Sequence, residues 1–275
     1  MPSTPSPLRY PGGKTKLYSY VRKIIEVNGL LGETYIEPFA GGAGLALKLL
    51  INGDVKRIVI NDFDPAIYSF WYNVLNNTDD ICDFIRTVEI SVNEWARQRE
   101  VFFNQDEHTS AEIAKATLYL NRTNVSGILT GGVIGGQDQT GTFSIDARFN
   151  RERLVEKIVT IANLSDKIDL YNLDAVEFMN TVLPHYYKVF INFDPPYVNK
   201  GGQLYKNAFT QDDHTNLRNA IAKCKRKWIV TYDVCNLISN LYGKFRGDTI
   251  DIYYSANSTR KSKEYIFFSN NLILP

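Results

Sequence analysis

Asp194-Pro-Pro-Tyr197 brings a carboxylate, a rigid backbone carbonyl and a flat phenol ring together within four residues. The apolar, β-prone run from Lys188 to Phe193 reads as a buried strand. Two prolines cannot continue a sheet ladder, so the strand stops there. Asp194 therefore stands at a strand's carboxyl end, where open α/β sheets bind their ligands. Pro195 and Pro196 fix the backbone that follows. A planar amine could stack on Tyr197 while its two hydrogens are donated to the Asp194 carboxylate and the Pro195 carbonyl. In isolation, the same four residues would serve equally as a strand end capped by a proline turn.

Two glycine turns precede this stretch. In Leu8-Arg-Tyr-Pro-Gly-Gly-Lys14, the Pro11-Gly12-Gly13 turn brings Tyr10 and Lys14 close to whatever binds there, and both suit an anionic ligand. In Glu37-Pro-Phe-Ala-Gly-Gly-Ala-Gly44, a short strand ends on Glu37 and Phe39 follows. Gly41, Gly42 and Gly44 then let a ligand approach the backbone at a helix N-terminus. Asp62 closes the next strand, 25 residues after Glu37. That is near the ~20-residue offset at which a Rossmann-type carboxylate takes ribose hydroxyls. The pattern suggests a nucleoside-bearing cofactor, and a glycine-tightened βα turn would also account for it. Asp174 is a further acid at a strand end and a candidate N-cap for the helix after it.

Alternating strands and helices position these groups. The expected strands are 34–37, 57–62, 167–172, 188–193, 227–232, 248–254 and 264–269. From about Thr78 the alternation stops, and helical segments near 81–88, 95–103 and 111–120 follow. Asn121 to Gly141 holds six glycines among amide and hydroxyl side chains and reads either as a mobile surface loop or as a lid ordered by a partner; long loops of this kind are often functional. Residues 78–150 carry 6 Lys/Arg against 11 Asp/Glu, whereas the whole chain has a net charge of +1. Any surface for nucleic acid must therefore be made locally. Three scattered cysteines read as reduced thiols of a cytoplasmic protein, and three dispersed histidines give no metal site. No stretch approaches the ~20 apolar residues of a membrane span, and residues 1–7 lack the apolar core of a signal peptide.

Tyr10-Pro-Gly-Gly-Lys14, Glu37 to Gly44, Asp62 and Asp194-Pro-Pro-Tyr197, in this order, resemble the Dam-type (D12, α-group) DNA adenine-N6 methyltransferases. The resemblance covers nearly the whole chain. It implies an α/β fold: a Rossmann-like, mostly parallel sheet of about seven strands with an antiparallel C-terminal strand. A catalytic domain of 1–77 and 151–275 would carry a mainly helical target-recognition insertion at 78–150. The cofactor implied is S-adenosylmethionine. Tyr10, Gly12, Gly13 and Lys14 would contact it, the turn from Glu37 through Phe39 to Gly44 would hold its methionine part, Asp62 its ribose and Asp174 its adenine edge. Asn121-Arg-Thr-Asn-Val-Ser-Gly127 is similar to the family's Asn-Arg-Thr stretch, so Arg122, Thr123, Asn124 and Ser126 become DNA-binding candidates. The acidic, glycine-rich insertion departs from the family, and no target sequence carries over.

The mechanism implied is extrusion of the adenine, stacking on Tyr197, and direct in-line methyl transfer. The partner expected is double-stranded DNA, met by a cytoplasmic monomer, with a cognate restriction endonuclease as a further candidate partner. Other readings compete. The same four residues suit a cytosine N4 amine, and RNA or a protein amide is an alternative substrate. The chain could also be a non-catalytic DNA-binding relative, or a dehydrogenase, although its first glycine turn lacks a clean G-x-G-x-x-G.

Overall fold

A computed structural model describes residues 4–10, 13–199, 209–254 and 260–275; for 252–254 and 260–262 it describes the backbone alone. Pro11 and Gly12 lie outside the described residues. The chain divides into two compact units, 1–11 with 64–166, and 12–63 with 167–275.

The second unit is built on a seven-stranded sheet: β1 (Thr34–Glu37), β2 (Arg57–Asn61), β3 (Ile168–Tyr171), β4 (Val189–Phe193), β5 (Lys227–Asp233), β6 (Arg246–Tyr254) and β7 (Arg260–Phe268). Their spatial order is β3-β2-β1-β4-β5-β7-β6. The first five run parallel, and β7 enters antiparallel between β5 and β6. The expected sheet of about seven strands with one reversed C-terminal strand is thus present. β1 and β4 are buried along their full length, as the apolar run 189–193 requires of a central parallel strand. Ile36, Ile191, Val230 and Trp228 share a core with Phe178, Leu217 and Ile221 from the flanking helices. Each such fully buried side chain contributes about 1.5–3 kcal/mol.

The first unit is inserted between β2 and β3 and is helical. It comprises Pro65–Asn76, Thr78–Thr87, Val92–Phe103, Ser110–Thr123 and Arg151–Ala162. The sequence signals its helix starts. Asp64 accepts from the Ala66 amide with Pro65 in the first turn, Ser91 accepts from the Glu94 amide, and Thr109 and Glu112 form a reciprocal capping box. Ser110–Thr123 packs against both Pro65–Asn76 and Val92–Phe103. Among the described residues, no helix is long and apolar enough to cross a membrane.

Candidate active site

Because β1 to β5 are parallel, their carboxyl ends lie along one edge of the sheet, and an acid follows or ends every one of them. Glu37, Asp62, Asp174, Asp194 and Asp233 are these five. β7 runs the other way but pairs Glu264 with Asp233, which brings a sixth carboxylate to the same edge.

Asp194 is held from one side only. Its Oδ1 accepts from Lys14 Nζ at 2.9 Å and from Thr231 Oγ1 at 2.8 Å, and lies 3.3 Å from the Tyr197 hydroxyl. Among the described residues no donor reaches Oδ2, and 22% of the side chain stays exposed. The adjoining Pro195 carbonyl likewise accepts no hydrogen bond among the described residues. Carboxylate and carbonyl thus present two open acceptors side by side. Pro196 is half-buried, and past it Asp233 accepts the amides of Val198 (3.0 Å) and Asn199 (2.9 Å), which fixes the exit of the turn.

Tyr197 is buried, with 7% of its surface exposed. Its hydroxyl donates to Glu264 Oε2 at 2.6 Å and accepts from Lys14 Nζ at 2.7 Å, and its ring tilts against Tyr232. Lys14 is buried as well, with Nζ 3.5 Å from Glu264 and 5.1 Å from the Tyr197 ring centre. Burial works against its charge, but Asp194 and Glu264 outweigh burial and raise its pKa above the ordinary lysine value. Lys14 therefore sits inside the protein's own carboxylate cluster. Gly13 precedes it, exposed.

The glycine turn has the backbone its sequence demands. Gly41 and Ala43 both take positive φ (47° and 46°) before the helix Gly44–Ile51, and Gly42 between them is buried. Asp62 Oδ2 accepts the Gly41 amide at 2.7 Å, so the acid expected at the ribose also braces the turn. Asn61 ties that turn to the next by donating to the carbonyls of Pro38 and Leu173, each at 2.9 Å. Asp174 caps its helix, with Oδ1 accepting from Val176 and Glu177. Phe39 is half-buried, edge-on to Phe209. Glu37 is buried and accepts from Tyr35 at 2.9 Å. Burial, reinforced by Asp194, pushes its pKa up to about 8, so it is largely protonated at neutral pH.

The DNA candidates belong to the helical unit, and most are used inside it. Thr123 and Asn124 are fully buried. Thr123 bonds the Tyr119 carbonyl; Asn124 accepts from Trp95 Nε1 at 2.6 Å and donates to the carbonyls of Ile128 and Leu129. Arg122 and Ser126 keep part of their surface in solvent, Ser126 at φ 59°. Tyr10 is half-buried in the same unit. The stretch after Asn124 is more ordered than a free loop: Asn124 and Val133 form a β-bridge, and the side chain of Gln139 bonds the backbone of Ile134, Gly136 and Ile145. Glu264 and Thr231 carried no signal in the sequence, because only the pairing of β5 with β7 and β4 brings them to Asp194.

Fold and site together define a Rossmann-like α/β protein with two open acceptors, the Asp194 carboxylate and the Pro195 carbonyl, at the end of its central strand. The family profile for D12 class N6 adenine-specific DNA methyltransferases matches residues 10–255. The chain belongs to that family and is a DNA adenine methyltransferase. It is 22% identical over 240 residues to the Type II methyltransferase M.MjaIII of Methanocaldococcus jannaschii, covering 80% of each chain. Among solved structures it is similar to PH1948 from Pyrococcus horikoshii, with a TM-score of 0.44, 11% identity and coverage of 96% of this chain and 86% of that one. A conserved hypothetical protein of Streptococcus pyogenes gives a TM-score of 0.36 at 8% identity, covering 91% and 96%.

Proposed function

We propose that the enzyme transfers the methyl group of S-adenosylmethionine to the N6 amine of an adenine extruded from double-stranded DNA, with Asp194 and the Pro195 carbonyl as acceptors for the amine. The observation that carries this reading is the one-sided anchoring of Asp194. A carboxylate saturated on Oδ1 and open on Oδ2, next to an open carbonyl, matches the two hydrogens of a planar primary amine.

The residues present fit the cofactor. A sheet edge lined by carboxylates, with one buried lysine among them, favours a ligand carrying positive charge. Glu37 in particular is a carboxyl that stays neutral until a cation reaches it. The turn at Gly41–Gly44 lies at a helix N-terminus, and Asp62 and Asp174 stand at the ends of the next two strands. When bound, the cofactor supplies an electrophilic methyl on a sulfonium. Asp194 Oδ2 and the Pro195 carbonyl orient the amine and draw its hydrogens, which directs the nitrogen lone pair at that methyl. Catalysis is then mainly positioning. The proton lost by the methylated amine has Asp194 as its nearest acceptor.

Within this reading, Tyr197 is the stacking face for the extruded base. Its hydroxyl is tethered by Glu264 and Lys14, and the ring meets a base once one face is uncovered. Extrusion costs a few kcal/mol, and a base–aromatic stack returns about 1–3. The helical unit, through Arg122, Ser126 and the segment to Gly141, serves as the target-recognition domain.

Asp194→Ala tests the central assignment. Methyl transfer should fall by about two to four orders of magnitude, the range for a positioned proton-accepting group, while calorimetry shows cofactor affinity largely retained. A variant that keeps more than about a tenth of the rate, a loss under ~1.4 kcal/mol, removes Asp194 from the role of acceptor.

A further inference from the structure

The helical unit contains cations that its own structure leaves unmatched. Arg9, Arg122 and Lys157, each half-buried, come from the N-terminal segment, the end of Ser110–Thr123 and the middle of Arg151–Ala162. Lys157 acts on no nearer group than a neutral one: its Nζ donates to the Ser6 carbonyl at 2.9 Å. Arg9 Nη1 donates to the Asn124 carbonyl at 3.2 Å, and Asn121 grips the Arg9 backbone from both sides, accepting its N–H at 2.7 Å and donating to its carbonyl at 2.9 Å. Arg122 has no acceptor at all among the described residues, and its Nε is shut off from solvent.

The charges act on one another. Burial first, then Arg9, lowers the Arg122 pKa to about 10. Burial first, then Arg122 and Arg153, lowers Lys157 to about 8, with Glu156 opposing weakly. Arg9 is lowered by burial and by Arg148. None of the three forms an ion pair among the described residues, whereas Arg57 and Arg22, more exposed in the sheet unit, pair with Asp169 at 2.6 Å and Asp54 at 3.0 Å. A helix C-terminus offers only about half a negative charge, which Arg9 already uses at Asn124. Arg122 feels Arg9 and Lys157 feels Arg122, and a chain of three such cations, two of them forked guanidiniums, is matched by a tetrahedral anion with several acceptor oxygens.

We propose that Arg9, Arg122 and Lys157 form a phosphate site that takes one backbone phosphodiester of the DNA substrate. This rests on DNA as the substrate and identifies which part of it the helical unit grips: a phosphate, which fixes register and carries no sequence information.

Lys157→Met in the full chain is the decisive variant, because a structural role and a ligand role predict opposite signs. A lysine retained for its bond to Ser6 would lower Tm when removed. A lysine repelled by Arg122 and Arg153 should leave Tm unchanged or higher. Fluorescence anisotropy with duplex oligonucleotides should show affinity reduced about eightfold at 0.1 M salt, equally for target and non-target sequences, and a log K against log salt slope shallower by about 0.9. Arg122→Met should act in the same direction. Inorganic phosphate, compared with chloride at equal ionic strength, should raise Tm of the unmodified protein and not of Lys157→Met. Unchanged affinity and slope overturn the phosphodiester assignment. If phosphate protection is still lost in that case, the site takes free phosphate instead. A fall in Tm with no change in either readout reduces Lys157 to a structural residue. An unmodified protein that binds no duplex at any salt concentration overturns both the DNA reading and the phosphodiester assignment, and the phosphate arm alone then decides whether an anion site exists.

Discussion

Lys14 in the sheet unit and Lys157 in the helical unit are both drawn out of water, and their surroundings treat them in opposite ways. Lys14 meets two carboxylates and a phenol oxygen, and its pKa rises in spite of burial. Lys157 meets a peptide carbonyl and two other cations, and its pKa falls to about 8. The first arrangement is complete before any ligand arrives and serves to fix Asp194 and Tyr197. The second is incomplete without an anion. Catalysis by positioning needs a site that does not rearrange, whereas a grip on DNA gains from charge that only the partner neutralises.

The largest test of this contrast is removal of the matched lysine. Lys14→Met leaves Asp194 and Glu264 facing each other without a cation. Breaking a buried pair in this way costs about 3–5 kcal/mol, which thermal or urea unfolding should show as a clear loss of stability, in contrast with the unchanged or raised Tm expected of Lys157→Met. A smaller effect is expected where the helical unit satisfies its buried polar groups. Trp95→Phe strips Asn124 Oδ1 of its 2.6 Å donor and should destabilise by about 1–3 kcal/mol, the cost of an unsatisfied buried acceptor, without altering cofactor affinity.

The smallest effects are slopes against pH. Lys157 binds its proton less tightly when folded, near pH 8 against 10.5 unfolded. Between those values the unfolded chain holds more protons, so stability should rise with pH. Lys157→Met should remove that rise from a Tm series between pH 8 and 10. Glu37 is shifted the other way, to about 8 from 4.5. The folded state holds the extra proton, so its contribution is full at low pH and declines from about 4.5 to 8. Glu37→Gln should flatten the Tm profile over that window and leave its slope unchanged above pH 8.

Much of the sheet unit was legible because its signals are local. Prolines stop β4 at Asp194, glycines force the positive φ at Gly41, and an acid at each strand end falls on one edge once the strands are parallel. The reversed strand β7 was expected, but its partners were not. Glu264 reaches Tyr197 only through its register with Asp233, and no pattern within residues 260–268 announces that register. In the helical unit the polar stretch Asn121–Asn124 misled for a related reason. Amide and hydroxyl side chains suggest a wet surface, yet Asn121, Thr123 and Asn124 are buried because each satisfies backbone groups where a helix ends and the chain turns back. The cations of that unit were invisible as a group, since Arg9, Arg122 and Lys157 are neighbours only in three dimensions.

The entry of β7 between β5 and β6 also constrains the order in which the site can assemble. Glu264, which completes the pairing of Lys14 and tethers Tyr197, lies 67 residues further along the chain than that tyrosine, and until β7 arrives β6 has no bridge to the sheet. Contacts between residues so far apart in sequence form late, because the loop-closure entropy must be met before they contribute anything. A nascent chain can therefore fold its glycine turn and its five parallel strands while Tyr197 remains untethered. A chain cut before β7 would keep the positive-φ turn at Gly41 and lack the carboxylate that tethers the Tyr197 hydroxyl.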